Sequence, residues 1–210
     1  MYSQNEEERV IREYFGQSKH TFVSIGENDG TTFSNIRALA ESGWIGICIE
    51  PAPIAFEKLE KVYENNPHVG CYNMAIANHN GKVILEDSGS LIHKGDTSLV
   101  STIVPEEKQR FDKVVSYNSI EVPCKTWAKF MYDHVRDTRF QVISIDAEGM
   151  DYDILLQMDA YGTLNYAHLV CIEWNGDNNL KSRYDDIMLN HTIRPFQLIH
   201  LNGENIIYAR

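Results

Sequence analysis

The sequence predicts an α/β fold on a doubly wound, mostly parallel sheet, and three observations carry that expectation. The apolar run Phe22-Val23-Ser24-Ile25 stops at a loop with two glycines, Gly26-Glu27-Asn28-Asp29-Gly30, and a helical pattern follows at once. Further continuous apolar runs, Ile45 to Ile49, Val142 to Ile145 and Leu169 to Ile172, have the composition of strands buried on both faces of a parallel sheet. Each runs on towards a stretch of helical periodicity, the alternation that builds such sheets. The chain closes with two strand-like runs joined by Asn202-Gly203, a hairpin signal that makes the last strand antiparallel to its neighbour.

The elements follow in order. Glu6 to Phe15 reads as a short amphipathic helix with Val10, Ile11, Tyr14 and Phe15 on one side, packed beside the first strand. After the glycine loop, Phe33, Ile36, Leu39 and Ala40 recur at helix spacing, and Gly43 is placed to end that helix. Trp44 to Glu50 is the second strand, closed by Pro51-Ala52-Pro53, which also starts the next helix. That helix carries Ile54, Phe56, Leu59 and Val62. Val69 to Ile76 reads as a third strand with Asn73 near its end. Asn80-Gly81 favours a tight hairpin back into Lys82 to Leu85.

From Glu86 to Ser119 the composition is that of loops. A stretch this long inside one domain points to a functional lid, so residues 87–119 are expected to form an insertion on the substrate side, with a merely variable loop as the alternative. The lid reading expects this part to be the least ordered in the free protein and to cover the acceptor. Regular patterning resumes with a strand at Ile120 to Cys124 and a helix over residues 126–135. The fourth strand of the parallel type, Val142 to Asp146, runs into Ala147-Glu148-Gly149 and a helix faced by Tyr152, Ile154, Leu155 and Met158. Leu169 to Asn175 is the fifth, followed by a polar helix near residues 180–189 and the terminal hairpin.

The chain has 210 residues, 43% of them hydrophobic and 23% charged, which suits one globular domain over residues 1–210. A net charge of −11 leaves no broad electrostatic footprint for DNA or RNA, so no nucleic-acid partner is expected. Cys48, Cys71, Cys124 and Cys171 form no CxxC pair and fall mostly in apolar runs. They read as reduced core residues of a cytoplasmic protein. No signal region or membrane span is apparent, so the sequon Asn190-His191-Thr192 carries no weight.

The loop speaks to ligand charge. It is GxxxG, neither the GxGxxG of dinucleotide sites nor a P-loop, and Glu27 and Asp29 would stand where a pyrophosphate should lie. Like charges in a cleft repel, so a phosphate-free, cationic ligand such as S-adenosylmethionine fits better. The plainer alternative is that both acids face water, or that Asp29 caps the helix. Glu50, at the end of the second strand and about 20 residues past the loop, is placed to accept from ribose hydroxyls; its alternative is a helix N-terminal acid favoured by the macrodipole.

Ser24-Ile-Gly-Glu-Asn-Asp-Gly30, Glu50-Pro-Ala-Pro53 with Phe56, Asn73-Met-Ala75 and Ile145-Asp-Ala-Glu-Gly149 occur in an order and spacing that resembles the FkbM-type S-adenosylmethionine-dependent methyltransferases, from Phe22 to Arg210. The resemblance implies a class I methyltransferase (Rossmann-like) sheet of seven strands, mostly parallel with the last antiparallel. It implies O-methylation of a hydroxyl, commonly on a sugar or glycan, with S-adenosylmethionine as cofactor. Carried over by position, the cofactor residues are Gly26, Glu27, Asn28, Gly30, Thr31, Glu50, Pro51, Asn73, Ala75 and Asp146. Departures are Ser24 where the family starts with an acid, Glu27 and Asp29 in place of small or apolar residues, no Leu-Asp pair around Lys125 to Ala128, and Ser144 where a lysine is common.

Asp146 and Glu148 are the expected catalytic residues. Asp146 acts as base or metal ligand, and Glu148 orients the acceptor. A divalent metal held by Asp146 and Glu173 is the alternative to a metal-free base. His79, His93 and His200 are further candidate bases, more plausibly surface or packing residues. Two other readings stay open: a nucleotide-dependent sugar-modifying or nicotinamide enzyme of this architecture, and a binding module that keeps the fold without the chemistry.

Overall fold

The structure, a computed structural model, describes residues 1–89, 98–111, 113–135, 139–191 and 193–210. Its frame is a seven-stranded sheet made of β1 (Thr21–Ile25), β2 (Ile45–Ile49), β3 (Val69–Tyr72), β7 (Val142–Ile145), β8 (Leu169–Glu173), β9 (Gln197–Leu201) and β10 (Asn205–Ala209). The order is β3-β2-β1-β7-β8-β10-β9. All neighbours are parallel except β10, which runs antiparallel to both β8 and β9, as the terminal hairpin signal requires. Between β3 and β7 the chain builds a second sheet from β4 (Ala75–Ile76), β5 (Gly81–Asp87) and β6 (Asn118–Lys125), in the order β4-β6-β5.

Side-chain alternation along the strands divides the core into two layers. Val23, Ile25, Ile143, Ile145, Val170 and Ile172 pack on one face with α4 (Trp127–Phe130), α5 (Asp151–Tyr161) and α6 (Asn178–Met188). Phe22, Cys48, Val142, Leu169 and Cys171 pack on the other with α1 (Glu7–Phe15), α2 (Arg37–Glu41) and α3 (Pro53–Tyr63). One row on this second face is made of small side chains. Cys48, Ser24, Ser144 and Cys171 are register partners across β2, β1, β7 and β8. Such small groups leave room above the carboxyl ends of the strands.

Several elements differ from the sequence reading. The helix after the glycine loop does not begin at Phe33: that residue has φ 58° and α2 starts only at Arg37. Ser34 stops the helix from starting earlier, because its Oγ accepts the Arg37 N–H at 2.9 Å. In α3 the buried face is Ala55, Leu59 and Tyr63, an i, i+4, i+8 stripe, while Ile54 is exposed. The expected third strand is two strands in two sheets. Asn73 breaks it, donating from Nδ2 to the carbonyls of Glu50 and Pro51 at 2.8 and 3.1 Å. The Asn80-Gly81 hairpin does not form, since β6 lies between β4 and β5 and pairs with both. Asn80 instead accepts the Thr126 N–H at 3.0 Å. The helix expected over residues 126–135 is α-helical only to Phe130 and continues as one π turn, Met131–Val135.

Helix α1 packs as expected near β1, but two of its acids are buried. The Glu7 carboxylate accepts from Asn202 Nδ2 at 2.7 Å and Asn205 Nδ2 at 2.9 Å, which ties α1 to the terminal hairpin. Among the described residues no helix is long and apolar enough to cross a membrane. The four cysteines are free. His93 and Thr192, and most of the Gly95-to-Ser98 stretch, lie outside the described residues.

Candidate active site

A cavity of about 340 Å³ opens at the carboxyl ends of β1, β2, β7 and β8, the place where ligands bind in open α/β sheets. Its floor is the glycine loop. Gly26 has φ 77°, and a Cβ there would stand 1.6 Å from the Asp146 carbonyl oxygen, so only glycine lets the loop lie directly on the end of β7. Glu50 anchors the loop on the other side. Its Oε2 accepts the Asn28 N–H at 2.9 Å and its Oε1 the Ala52 N–H at 2.8 Å. Burial pushes the Glu50 carboxyl up to about 7 against those two hydrogen bonds.

Glu27 turns inward. Ser24 Oγ and Ser34 Oγ each donate to its carboxylate at 2.6 Å, and burial raises its pKa to about 7 despite them. A carboxylate therefore stands at the end of β1 although residue 24 is a serine. Asp29 plays a different part. Its carboxylate accepts the N–H groups of Thr31 and Thr32 at 2.9 and 2.7 Å and shapes the turn, as a capping residue does.

Beside the loop, after β7 and at the end of β8, three carboxylates converge. Asp146, Glu148 and Glu173 each offer an oxygen within 4.8 Å of the others. Asp146 follows β7, and the turn after it is held by Asp151, which accepts from the N–H groups of Ala147 and Gly149 at 2.8 and 3.0 Å. Burial, then the Asp151 and Glu27 charges, push Asp146 up to about 7, and burial beside Asp146 raises Glu148 and Glu173 as well. Carboxylates this close share their protons rather than ionising together. Arg110, 3.9 Å from Glu148, is the one lysine or arginine lining the cavity among the described residues.

Of the residues carried over from the sequence, Gly26, Glu27, Asn28, Glu50, Pro51, Ala75, Asp146, Glu148 and Glu173 line the cavity. Gly30, Thr31 and Asn73 do not. Gly30 packs the loop on α3, where a Cβ would come within 2.7 Å of Leu59 Cδ1. Thr31 is exposed and spends its N–H on Asp29. Asn73 acts from behind, holding the Glu50-Pro51 carbonyls. His79 contacts Lys82 O and Cys124 Sγ away from the cavity, and His200 lies on β9; neither lines it.

Sequence reasoning missed Phe33, Asn35, Arg110 and Phe111, which also line the cavity. The described part of the 87–119 segment supplies a wall: Ser98 to Ser101, Ile103, Arg110 and Phe111. Thr102 Oγ1 fixes that wall to the turn after β7 by donating to Glu148 O at 2.7 Å. Backbone strain marks the same place. Among the described residues six non-glycines have positive φ, and five of them, Asn28, Phe33, Ser98, Glu148 and Asn175, line the cavity. Such strain costs about 1–3 kcal/mol per residue and gathers at functional sites.

The comparisons agree with this architecture. Among solved structures, the N-terminal domain of human METTL16 superposes with TM-score 0.50 at 8% identity, over 96% of this chain and 66% of that one. A putative RNA methyltransferase from Pyrococcus horikoshii gives 0.50 at 9%, over 98% and 82%. The human methyltransferase 10 domain containing protein gives 0.50 at 8%, over 100% and 83%. At such identities the likeness is one of fold. No curated protein matches the chain in sequence. A family model, the methyltransferase FkbM domain, matches residues 24–195, and the chain belongs to that family of methyltransferase domains.

Proposed function

We propose that the protein is an S-adenosylmethionine-dependent O-methyltransferase acting on a hydroxyl, most simply of a sugar or glycan. The observation that carries this reading is the placement of Asp146, Glu148 and Glu173 in the same cavity as the Gly26–Asn28 loop and Glu50, with Asp146 directly beside Gly26. The donor set fits the cofactor. Glu27 and Glu50 offer acceptors to a cation and to ribose hydroxyls, and the one lysine or arginine among the described lining residues, Arg110, pairs with Glu107 and lies beside Glu148. Gly26, Glu27, Asn28, Glu50, Pro51 and Ala75 would hold it, and when bound it supplies the electrophilic methyl group.

The protein's own work is then positioning and proton removal. Displacement at a methyl carbon needs the acceptor oxygen held in line, and Glu148 and Arg110 border the place where it would lie. A sugar hydroxyl must lose its proton as the bond forms. Asp146, poised near neutrality by its burial, accepts it. Glu148 and Glu173 keep the shared charge local. The three oxygens also suit a hard divalent cation, which would acidify the hydroxyl. Activity that survives exhaustive chelation decides for the metal-free base.

The sugar hydroxyl rests on the family resemblance and on a lining that repels anions. That same lining disfavours a nucleic-acid acceptor, as does the net charge of −11. The test is transfer of labelled methyl groups from S-adenosylmethionine to a panel of hydroxylated acceptors that includes glycans and RNA. Asp146→Asn should retain cofactor binding and lose about 10²-fold or more in turnover, the scale of general-base assistance. Unchanged turnover in that variant would remove Asp146 from the mechanism, and transfer to RNA alone would refute the acceptor class.

A further inference from the structure

Helix α1 is preceded by an irregular strap, residues 2–5, that is tied down along its length. Two buried acids of α1 accept its backbone N–H groups. Glu8 Oε2 takes that of Tyr2 at 2.7 Å, and Glu7 Oε2 takes that of Asn5 at 2.8 Å. In return Ser3 Oγ accepts the Glu8 N–H at 3.1 Å. Burying carboxylates is costly, so an irregular segment held in this way calls for a reason. The joint with α1 is strained as well. Glu6 has φ 70°, and it is the one described non-glycine residue of positive φ that does not line the cavity. Strain of that kind costs about 1–3 kcal/mol and turns the strap out of the path of the helix.

The strap is moored on two separate elements. Tyr2 Oη donates to Glu41 Oε1 at 2.8 Å, and its ring lies under the Arg37 guanidinium, both on α2. Arg37 in turn donates to Gly30 O at 3.2 Å. At the other end Asn5 Nδ2 donates to Glu204 Oε2 at 2.5 Å, in the turn between β9 and β10. The Glu204 carbonyl accepts the N–H groups of Trp174 and Asn175 at 2.8 and 3.2 Å, which sets this mooring at the end of β8. Between the moorings, Gln4 alone of residues 2–5 lines the cavity. Its side chain is exposed and makes no hydrogen bond with a described residue.

This position selects the ligand. Glu204, Asn175 and Glu173 line the cavity beside the strap, so Gln4 stands on the β8 side. Glu50 follows β2, three strands from β8, about 14 Å at the usual spacing. A ribose held at Glu50 lies beyond the reach of Gln4, whereas an acceptor approaching Asp146, at the end of the neighbouring β7, passes beside it. The acids at Glu173 and Glu204 repel an anion there. The Gln4 amide both donates and accepts, as a hydroxyl does.

We propose that the strap is a wall of the acceptor site and that Gln4 binds a hydroxyl of a neutral, polyhydroxylated acceptor, other than the hydroxyl that receives the methyl group. This rests on the acceptor reading above and adds to it a specificity residue. Asn5 is then a positioning residue, which touches no ligand and holds Gln4 in place through Glu204.

The test uses the methyl glycosides of neutral hexoses, each with its monodeoxy analogues, and labelled methyl transfer from S-adenosylmethionine. Changing one residue and removing one ligand hydroxyl together form a double-mutant cycle, which isolates that contact. Wild type should lose about three- to tenfold in kcat/KM on the analogue that lacks the contacted hydroxyl, the scale of one neutral hydrogen bond. Gln4→Met, of similar length and without polar atoms, should use parent and analogue within about twofold of each other. Asn5→Ala should lose most of the same discrimination. Neither change should weaken S-adenosylhomocysteine in calorimetric titration by more than about twofold. The ligand-free melt of Gln4→Met should stay at that of wild type, because an exposed side chain without a partner leaves nothing unsatisfied.

Discrimination in Gln4→Met equal to that of wild type overturns the proposal. So does a loss of S-adenosylhomocysteine affinity in that variant, which would assign Gln4 to the cofactor instead. Undiminished discrimination in Asn5→Ala overturns the role of the strap. A wild-type protein that binds S-adenosylhomocysteine yet methylates none of the glycosides would overturn the sugar-hydroxyl reading, and this subsite with it.

Discussion

Glu50→Ala separates two roles of one carboxylate, the loop anchor that the structure shows and the ribose contact proposed above. In the free protein the side chain accepts the N–H groups of Asn28 and Ala52, so its removal leaves two donors without partners at the cavity floor. Each buried unpaired donor costs about 1–3 kcal/mol. Water entering the cavity can serve Asn28, so the loss is about 2–4 kcal/mol. Against this stands the carboxylate's own burial. The rise of its pKa from 4.5 to about 7 means that the folded state holds a proton which the unfolded chain has released, a penalty of about 3 kcal/mol that is absent below 4.5 and complete above 7. Replacement by alanine removes that penalty.

The two effects give Glu50→Ala a pH signature. Near pH 5 the variant should be less stable than wild type by most of the 2–4 kcal/mol, a drop in Tm of about 4–16 °C for a chain this size. Near pH 8 the difference should shrink to about 1 kcal/mol or less, as the relieved penalty offsets the lost hydrogen bonds. Cofactor binding is then measured at pH 8, where both proteins are folded. Loss of the ribose contacts should weaken S-adenosylhomocysteine by about 1.5–3 kcal/mol, the scale of a hydrogen bond to a charged group. A Tm drop of equal size at both pH values would refute the account of the buried carboxylate. Wild-type affinity at pH 8 would take Glu50 away from the ribose, and tighter binding of NAD than of S-adenosylmethionine would refute the wider cofactor reading.

Other expectations follow from the same geometry. Gly26→Ala places a methyl group against the Asp146 carbonyl at a left-handed φ, and should abolish cofactor binding while lowering stability by at least about 1–2 kcal/mol; near-normal binding by calorimetry would mean that the loop does not rest on β7. Glu27 is raised to about 7, so wild-type stability should decline as pH rises from about 4.5 to 7, and Glu27→Gln should flatten that decline in urea titrations; an unchanged slope would show that Glu27 is not the buried acid. Affinity for S-adenosylhomocysteine should rise over the same interval as Glu27 ionises, and the Gln variant should lose that dependence. Amides of the wall from Ser98 to Phe111 should exchange quickly in the free protein and at least tenfold more slowly with cofactor or acceptor bound; slow exchange without ligand would make the wall a fixed element rather than a lid.

How much of this was legible in the sequence depended on range. The strands of the large sheet were plain because Phe22 to Ile25, Val142 to Ile145 and Leu169 to Ile172 are buried on both faces and need no polar alternation. The antiparallel closure was plain because Asn202-Gly203 is a local signal. Pairings set at long range were not. Asn80-Gly81 has the chemistry of a hairpin, yet β5 pairs with β6, more than thirty residues on, and no turn propensity encodes that choice. Helix starts failed where side chains took the amides first, as Ser34 does for Arg37.

The site divides along the same line. Residues at the end of a strand or just past it, Glu50, Asp146 and Glu173, could be placed because the end of a strand is a position the sequence marks. Glu27 shows what the sequence marks less well. A serine at position 24 reads as a missing acid, while in space the Glu27 carboxylate reaches back to Ser24 Oγ across a loop whose Asn28 has a left-handed backbone. The acid has moved along the chain without leaving the end of β1.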